Sequence, residues 1–193
     1  MSLIGRQPVC DAQYKIIGYD ILFRDETLDS DSSDISISAS VLERILNSFG
    51  LENVLGGYLG FLKIDIEFLK SDILLTLTKE HFILMILELS LFNPDLENVL
   101  QQLHRKGYRF GINSCVLNAQ TLERIKILHP WLTYIRIDAL HNLEEYGEHV
   151  YKELKAINQK LIAFKVETHE TFALYKKYGV DYFQGYYIKR PHT

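Results

Sequence analysis

Short apolar runs that alternate with longer segments of helical periodicity constrain the fold of this chain more than any other feature. The apolar runs predict strands at roughly 60–65, 82–89, 109–113, 133–138, 161–166 and 182–187. The segments between them predict helices near 66–76, 95–106, 118–128, 143–157 and 168–178, with Pro94, Gly107 and Gly179 marking helix ends. Strands and helices that alternate in this way indicate parallel strands joined by crossover helices.

The beginning of the chain adds a different pattern. Two extended apolar runs flank a polar turn at Asp11, which predicts a hairpin within the segment 4–24. An acidic stretch without periodicity follows, and helical spacing over 40–49 then predicts a helix with Asp34 or Ser36 as its N-cap. Six strand–helix units plus a hairpin are too many for a small flavodoxin-like sheet and nearly enough for a closed barrel. We therefore predict an α/β fold of the (β/α)-barrel type.

A barrel also predicts the location of the functional site. The carboxyl ends of its strands converge on one face, where active sites of this fold are built. A strand end is also simply a place where chains turn polar, so any single residue there is weak evidence. The set as a whole favours a site, and its members are Lys63, Asp65, Glu88, Asn113, Ser114, Arg136, Asp138, Glu167 and Gln184.

Composition excludes several classes of function. The net charge of −4 and the scattered basic residues of the 193-residue chain predict no nucleic-acid binding. Cys10 and Cys115 form no CxxC motif and follow no signal segment, which favours a reducing cytoplasm. The longest apolar runs, such as 82–87, fall short of the roughly 20 residues that span a bilayer. The histidines form no HExxH motif, so we predict no zinc site.

Several motifs, in order, resemble those of one family from Ile4 to Pro191. They read GYDILFR, FLKID, ILELS, GYRFGINS, YIRID, IAFKVET and YFQGYY. Together they resemble the EAL domains, which hydrolyse bacterial cyclic di-GMP, in the version that begins with Arg-Gln-Pro and is often followed by an HDOD domain. The resemblance implies a modified TIM barrel with an N-terminal hairpin, as a single domain over 4–193. It leaves open whether this domain is the front half of a longer signalling protein.

Members of the family use two Mg²⁺ or Mn²⁺ ions, and the resemblance assigns the metal positions to residues of this chain. The first Glu of the family corresponds to Asp20, a shorter carboxylate that still offers oxygen ligands. The metal-binding Asn falls on Lys63, whose ammonium has no lone pair for a metal. The adjacent pair of aspartates becomes Asn113 and Ser114, which removes two negative charges.

The remaining positions divide between lost and retained groups. The Glu with base or metal duty falls on Phe164, and the Lys falls on Arg136, which keeps the positive charge. Of the metal ligands that the resemblance implies, Asp20, Glu88 and Asp138 remain. We therefore expect no intact catalytic set, and we expect Lys63 to replace a metal by neutralising Asp20 or Glu88.

These substitutions lead to one main hypothesis and one alternative. The main hypothesis is a catalytically inactive EAL-like signalling domain, without a cofactor, that acts through an unidentified protein partner and forms a homodimer in the manner of the family. Arg24, Arg136 and Gln184 are its candidates for residual cyclic di-GMP or nucleotide binding. The alternative is a cyclic di-GMP phosphodiesterase with Mg²⁺ or Mn²⁺ in an altered site at Asp20, Glu88 and Asp138.

Overall fold

The strands of the chain close into a barrel in sequence order. A computed structural model describes residues 2–25, 55–141 and 148–189. β1 runs antiparallel to both of its neighbours, β2 and β8, and the pairs from β2 to β8 are parallel. The predicted barrel and its N-terminal hairpin are confirmed. The strands are β1 (Ser2–Asp11), β2 (Ile16–Asp25), β3 (Leu59–Ile64), β4 (Phe82–Leu87), β5 (Phe110–Cys115), β6 (Leu132–Asp138), β7 (Lys160–Phe164) and β8 (Tyr182–Phe183).

Helices follow most of the parallel strands, and short polar side chains begin several of them. The Asn118 side chain accepts the Thr121 backbone N–H at 2.9 Å, and Thr168 does the same for Thr171 at 3.2 Å. Gly107, with a φ of 93°, lies just past the end of α2, as predicted. The α-helices are α1 (Ile66–Leu69), α2 (Leu96–Arg105), α3 (Ala119–Leu128), α4 (Glu148–Ala156) and α5 (His169–Lys177), with 3₁₀ turns at Asp72–Thr76, Glu88–Ser90 and His129–Trp131.

Several predicted elements differ in extent from the structure; the strand predicted over 161–166, for example, ends at Phe164. The predicted helix 66–76 is a single α-turn followed by a 3₁₀ turn, and the strand predicted over 82–89 ends at Leu87. The strand predicted over 182–187 ends at Phe183, because the chain turns at Gly185, where a Cβ atom would lie 2.2 Å from the Val166 carbonyl oxygen. The predicted helix 40–49 with its caps, and residues 143–147 of the helix predicted over 143–157, lie outside the described residues.

The barrel interior is built in layers because alternate residues of a strand point to the same face. Toward the amino ends of the parallel strands the interior is apolar, with Val9, Phe61, Ile83, Met85, Tyr134 and Ile162 in one cluster. The neighbouring inward positions toward the carboxyl ends are mostly polar. For example, Lys63 follows Phe61, and Arg136 follows Tyr134, by two residues. The outward residues of the strands pack against the helices in the main hydrophobic core.

The described helices do not include a candidate membrane span. Within the described ranges, none has both the length and the apolar content needed to cross a bilayer.

Candidate ligand site at the carboxyl ends of the strands

Asp20 is the centre of the polar layer inside the barrel. Its Oδ2 accepts a hydrogen bond from Gln184 Nε2 at 2.9 Å and lies 3.6 Å from Lys63 Nζ. Its Oδ1 forms an ion pair with Arg136, 3.2 Å from Nη1. The side chains of Asp20 and Arg136 are 0% exposed, and that of Lys63 is 3% exposed. The strand ends thus bring four of the predicted site residues together.

The two cations decide the protonation of Asp20. Burial alone would raise the pKa of Asp20, but Arg136, Lys63 and the Gln184 hydrogen bond together bring it below its ordinary value. A carboxylate buried without such partners would cost several kcal/mol. The pairing predicted for Lys63 is therefore present, and its partner is Asp20.

Arg136 makes its polar contacts through Nη1, on one edge of its guanidinium. Nη1 donates a hydrogen bond to Asn113 Oδ1 at 2.8 Å. The guanidinium carbon lies 5.9 Å from the centroid of the Phe61 ring and 5.7 Å from that of Phe164. Nε and Nη2 are buried, and no hydrogen-bond acceptor for them occurs among the described residues.

Gln7 is a site residue that the sequence analysis missed. Its Oε1 accepts a hydrogen bond from Gln184 Nε2 at 2.9 Å, and its Nε2 donates to the Lys189 carbonyl at 3.3 Å. β1 and β8 are paired through only two residue pairs, Cys10 with Phe183 and Asp11 with Tyr182. The hydrogen bond between the Gln7 and Gln184 side chains thus adds to this short pairing where β1 and β8 close the barrel. The available signal was a polar residue two positions from inward-facing Val9.

A second polar cluster surrounds Asp138 at the end of β6. Its Oδ2 accepts hydrogen bonds from Lys165 Nζ at 2.7 Å and contacts His141 Nδ1 at 2.9 Å. Burial would raise the pKa of Asp138, but the hydrogen bonds from Lys165 and His141 lower it overall. Lys165 has a φ of 61°, an uncommon conformation for a residue other than glycine. Neither Lys165 nor His141 was predicted from the sequence.

Glu88 lies near this second cluster, in the 3₁₀ turn after β4. Its Oε2 accepts the Val116 backbone N–H at 3.4 Å. Burial raises the pKa of Glu88, and the charge of Asp138 raises it further. The three carboxylates assigned to metal binding therefore fall into two groups. Glu88 and Asp138 are near each other, whereas Asp20 contacts the cations of the polar layer.

The remaining predicted residues have other surroundings. Phe164 is buried beside Arg136, Asp65 caps α1 by accepting the Phe68 N–H at 2.8 Å, and Glu167 is exposed. The side chains of Arg24 and Ser114 lie outside the described part of the chain.

The groups around Asp20 are poorly suited to a pair of divalent cations. Such ions need clustered oxygen ligands, whereas two cationic side chains contact this carboxylate. Among the described side chains, no group of three or more His, Cys, Asp or Glu residues is arranged to hold a metal ion. Geometry and charge here favour binding of a negatively charged group.

A closed α/β barrel with a reversed first strand, and with polar groups at the carboxyl ends of its strands, defines the structural class of this protein. The model of the EAL domain matches residues 63–191. The chain belongs to the EAL domain family.

Comparisons with individual proteins agree with this assignment. The chain is 27% identical over 199 residues to the cyclic di-GMP phosphodiesterase CdgJ of Vibrio cholerae, covering 98% of the chain and 44% of that protein. It is 21% identical to the uncharacterized protein YuxH of Bacillus subtilis, covering 97% of the chain and 47% of YuxH. Its fold resembles the Xanthomonas citri FimX EAL domain in complex with c-diGMP, with a TM-score of 0.75, 14% identity and coverage of 99% and 88%. The chain thus spans less than half the length of these two curated relatives.

Proposed function

We propose that this chain is an EAL signalling domain that does not hydrolyse cyclic di-GMP and acts through contacts with a partner protein. The observation that carries the proposal is the buried ion pair between Lys63 and Asp20, 3.6 Å apart. A lysine ammonium has three donors and no acceptor, so it neutralises this carboxylate without offering a ligand to a metal. Lys63 therefore takes the charge-balancing role of a cation at this position.

Two further residues support the loss of hydrolysis. The side chain of Phe164 is buried beside Arg136 and has no group that accepts a proton or binds a metal. Asn113 brings an amide, not a carboxylate, to the polar layer, and it is occupied by Arg136 at 2.8 Å. Metal-assisted hydrolysis needs a cation that generates the nucleophilic water, and these side chains do not supply its ligands.

Ligand binding is separable from hydrolysis. Arg136 and Gln184 remain at the carboxyl ends of the strands, together with Arg24 in β2. The FimX EAL domain, whose fold this chain shares, was solved in complex with c-diGMP. We propose that this chain retains binding of cyclic di-GMP, weakened because no metal neutralises the phosphates, and uses it as a signal.

Calorimetric titration with cyclic di-GMP, with and without Mn²⁺, tests the binding part. We expect the same affinity in both conditions, and a loss of binding in Arg136→Met. Lys126→Met is the matched control, because Lys126 lies on the surface in α3. An affinity that rises strongly with Mn²⁺ would contradict metal-independent binding. If cyclic di-GMP binds in neither condition, the proposed nucleotide sensing is wrong, and the proposed action through a partner protein is unaffected.

A second candidate function is a weak phosphodiesterase with an altered metal set. It is favoured by Glu88 and Asp138, two carboxylates close enough for the charge of one to raise the pKa of the other. The Lys165 and His141 contacts to Asp138 argue against it, since a metal would have to displace them. Loss of a Mn²⁺-dependent activity in Glu88→Gln would identify this alternative.

The wider organisation of the protein remains a set of predictions. We propose a single domain over 4–193, a cytoplasmic location and a homodimer. If this domain is the front half of a longer signalling protein, we expect an HDOD domain to follow it. Light scattering on the purified chain measures the oligomeric state, and a mass of one chain at all concentrations would contradict the dimer.

A further inference from the structure

Tyr14 and Tyr187 bring their phenol groups together on the outside of the barrel. Tyr14 lies in the turn between β1 and β2, and Tyr187 follows the end of β8. Their hydroxyl oxygens are 3.2 Å apart, within hydrogen-bond distance, although the two residues are 173 positions apart in the chain. Tyr14 is 50% exposed, and Tyr187 is partly buried. Two phenol oxygens thus meet at a place that solvent reaches.

Packing against α5 holds both rings in this arrangement. The Tyr14 ring stacks on Phe172, with the centroids 5.4 Å apart and the ring planes at 18°. The Tyr187 ring also packs on Phe172, at 5.6 Å between centroids, and His169 meets it at 6.0 Å. Because one phenylalanine contacts both tyrosine rings, their hydroxyl groups are kept close together.

Adjacent phenols are the reactants for one covalent reaction, oxidative coupling. A one-electron oxidant removes an electron from each phenol, and each hydroxyl loses its proton. The unpaired electron of a phenoxyl radical is shared between the oxygen and ring carbons, including the carbons next to the one that bears the oxygen. Two such radicals form a carbon–carbon bond at these positions, and each bonded carbon then passes its hydrogen to its own oxygen. When a peroxide is the oxidant, the electrons and protons released by the pair convert it to water.

Other close tyrosine pairs offer an oxidant less. Tyr151 stacks on Tyr178 at 5.0 Å, but Tyr151 is 0% exposed. Tyr58 is exposed and its ring lies 5.6 Å from that of Tyr19, at 84°. The Arg6 guanidinium covers the Tyr19 ring at 4.6 Å, and a positive charge over a ring opposes removal of an electron from it. Access and charge therefore favour the pair on Phe172.

We propose that Tyr14 and Tyr187 are a modification site, at which a one-electron oxidant forms a dityrosine cross-link within the chain. The new bond joins the turn after β1 to the segment after β8. It closes the barrel covalently beside the short pairing of β1 with β8, which has two residue pairs. The reaction needs neither cyclic di-GMP nor a partner protein, so its outcome is independent of the proposed signalling function.

Treatment of the full chain with hydrogen peroxide and a haem peroxidase tests the site, at a protein concentration low enough to suppress coupling between molecules. We expect dityrosine fluorescence in a product with the mass of one chain less two hydrogen atoms. Fragmentation of the linked peptides by mass spectrometry identifies the joined residues without any variant. A bond between Tyr14 and Tyr187 would support the proposal. No dityrosine, or dityrosine only between chains or other tyrosines, would overturn it.

Variants then assign the two phenols. Tyr14→Phe and Tyr187→Phe keep a ring for packing and lack the oxygen, so each should abolish the cross-link within the chain. Tyr186→Phe is the matched control, because Tyr186 is adjacent in sequence and 62% exposed, and we expect its yield of cross-link to be unchanged. An undiminished yield in folded Tyr187→Phe, or a lost one in Tyr186→Phe, would refute the assignment.

The cross-link should also stabilise the barrel. A bond between positions 14 and 187 closes a loop of most of the chain, and so restricts the unfolded state as a disulfide does. We expect the melting midpoint of the cross-linked chain to rise by roughly 10 °C. Tyr14→Phe treated with the same oxidant should show no rise, which controls for other oxidative changes. A cross-linked chain that melts no higher than the untreated chain would contradict covalent closure of the barrel.

Discussion

Lys63 Nζ lies 3.6 Å from Asp20 Oδ2, and both side chains are buried inside the barrel. Arg136 and Gln184 also contact this carboxylate, so three side chains from β3, β6 and the end of β8 converge on one residue of β2. The positive charge that faces Asp20 is thus a permanent part of the chain. A mutation can remove this charge, and the change in the free energy of unfolding then measures its contribution to stability.

Replacing Lys63 by methionine should destabilise the protein strongly. Removal of one partner leaves a buried charge less well compensated, which costs about 3 kcal/mol. Urea unfolding measures this free energy. Lys70→Met is the matched control, because Lys70 also pairs with an aspartate, Asp95 at 2.6 Å, but on the surface, where we expect only a small effect. Equal losses in the two variants would show that the buried pair has no special role.

Acid should destabilise the protein through Asp20. Because its folded pKa is depressed, Asp20 contributes stability above its unfolded pKa of about 3.9, and this contribution is lost as the pH falls toward the folded pKa. Asp20→Asn should be less stable at pH 7 and should lose less stability between pH 5 and pH 2.5. Unfolding curves across this range measure the slope, with Asp95→Asn as an exposed control. A slope in Asp20→Asn as steep as in the unmodified chain would contradict this assignment.

The sequence predicted the barrel more completely than it predicted the polar layer. The alternation of strands and helices predicted a barrel with Lys63 and Arg136 at strand ends, and the family resemblance added Asp20 to the site. Charge predicted that Lys63 would neutralise Asp20 or Glu88, since a buried carboxylate needs a partner, and the structure shows that the partner is Asp20. Gln7 was missed because its role depends on the register in which β1 joins β8, which local sequence does not specify.

Two other differences have local physical causes. The last strand is shorter than its aromatic residues suggested, because Gly185 packs against the backbone of Val166. Lys165 escaped notice because nothing in its sequence predicts a left-handed backbone, and only the structure shows that its ammonium reaches Asp138 at 2.7 Å. Glu88 and Asp138 were assigned with Asp20 as metal ligands, whereas their contacts lie in a separate cluster.

The backbone of Lys165 should prefer glycine to alanine. At a φ of 61° a Cβ atom is unfavourable, so Lys165→Gly should be more stable than Lys165→Ala by about 1 kcal/mol. The order should reverse at Lys160, which lies in β7, where glycine weakens a strand. Thermal unfolding of the four variants tests both orders. A more stable alanine variant at position 165 would refute the strain.

Neutralising Glu88 should not harm the fold. Its pKa is raised, so the folded protein favours the protonated form of Glu88 more than the unfolded chain does. Ionised Glu88 therefore opposes folding at pH 7. This opposition declines as the pH falls through the folded pKa and toward the lower unfolded pKa. Glu88→Gln imitates the protonated form and should be at least as stable as the unmodified chain at pH 7. The gain should disappear near pH 4. Glu97→Gln is an exposed control, and a clear loss of stability only in Glu88→Gln would contradict this view.

A hydrolysis assay with cyclic di-GMP in excess Mg²⁺ or Mn²⁺ shows whether this chain opens the cyclic dinucleotide. Chromatography of the reaction mixture separates the cyclic from the linear dinucleotide. Because Lys63 and Arg136 occupy the carboxylate that a metal would need, we predict that the cyclic dinucleotide stays intact at high protein concentration. Linear product that accumulates in proportion to the protein, requires the metal and disappears in Asp20→Asn would contradict the account.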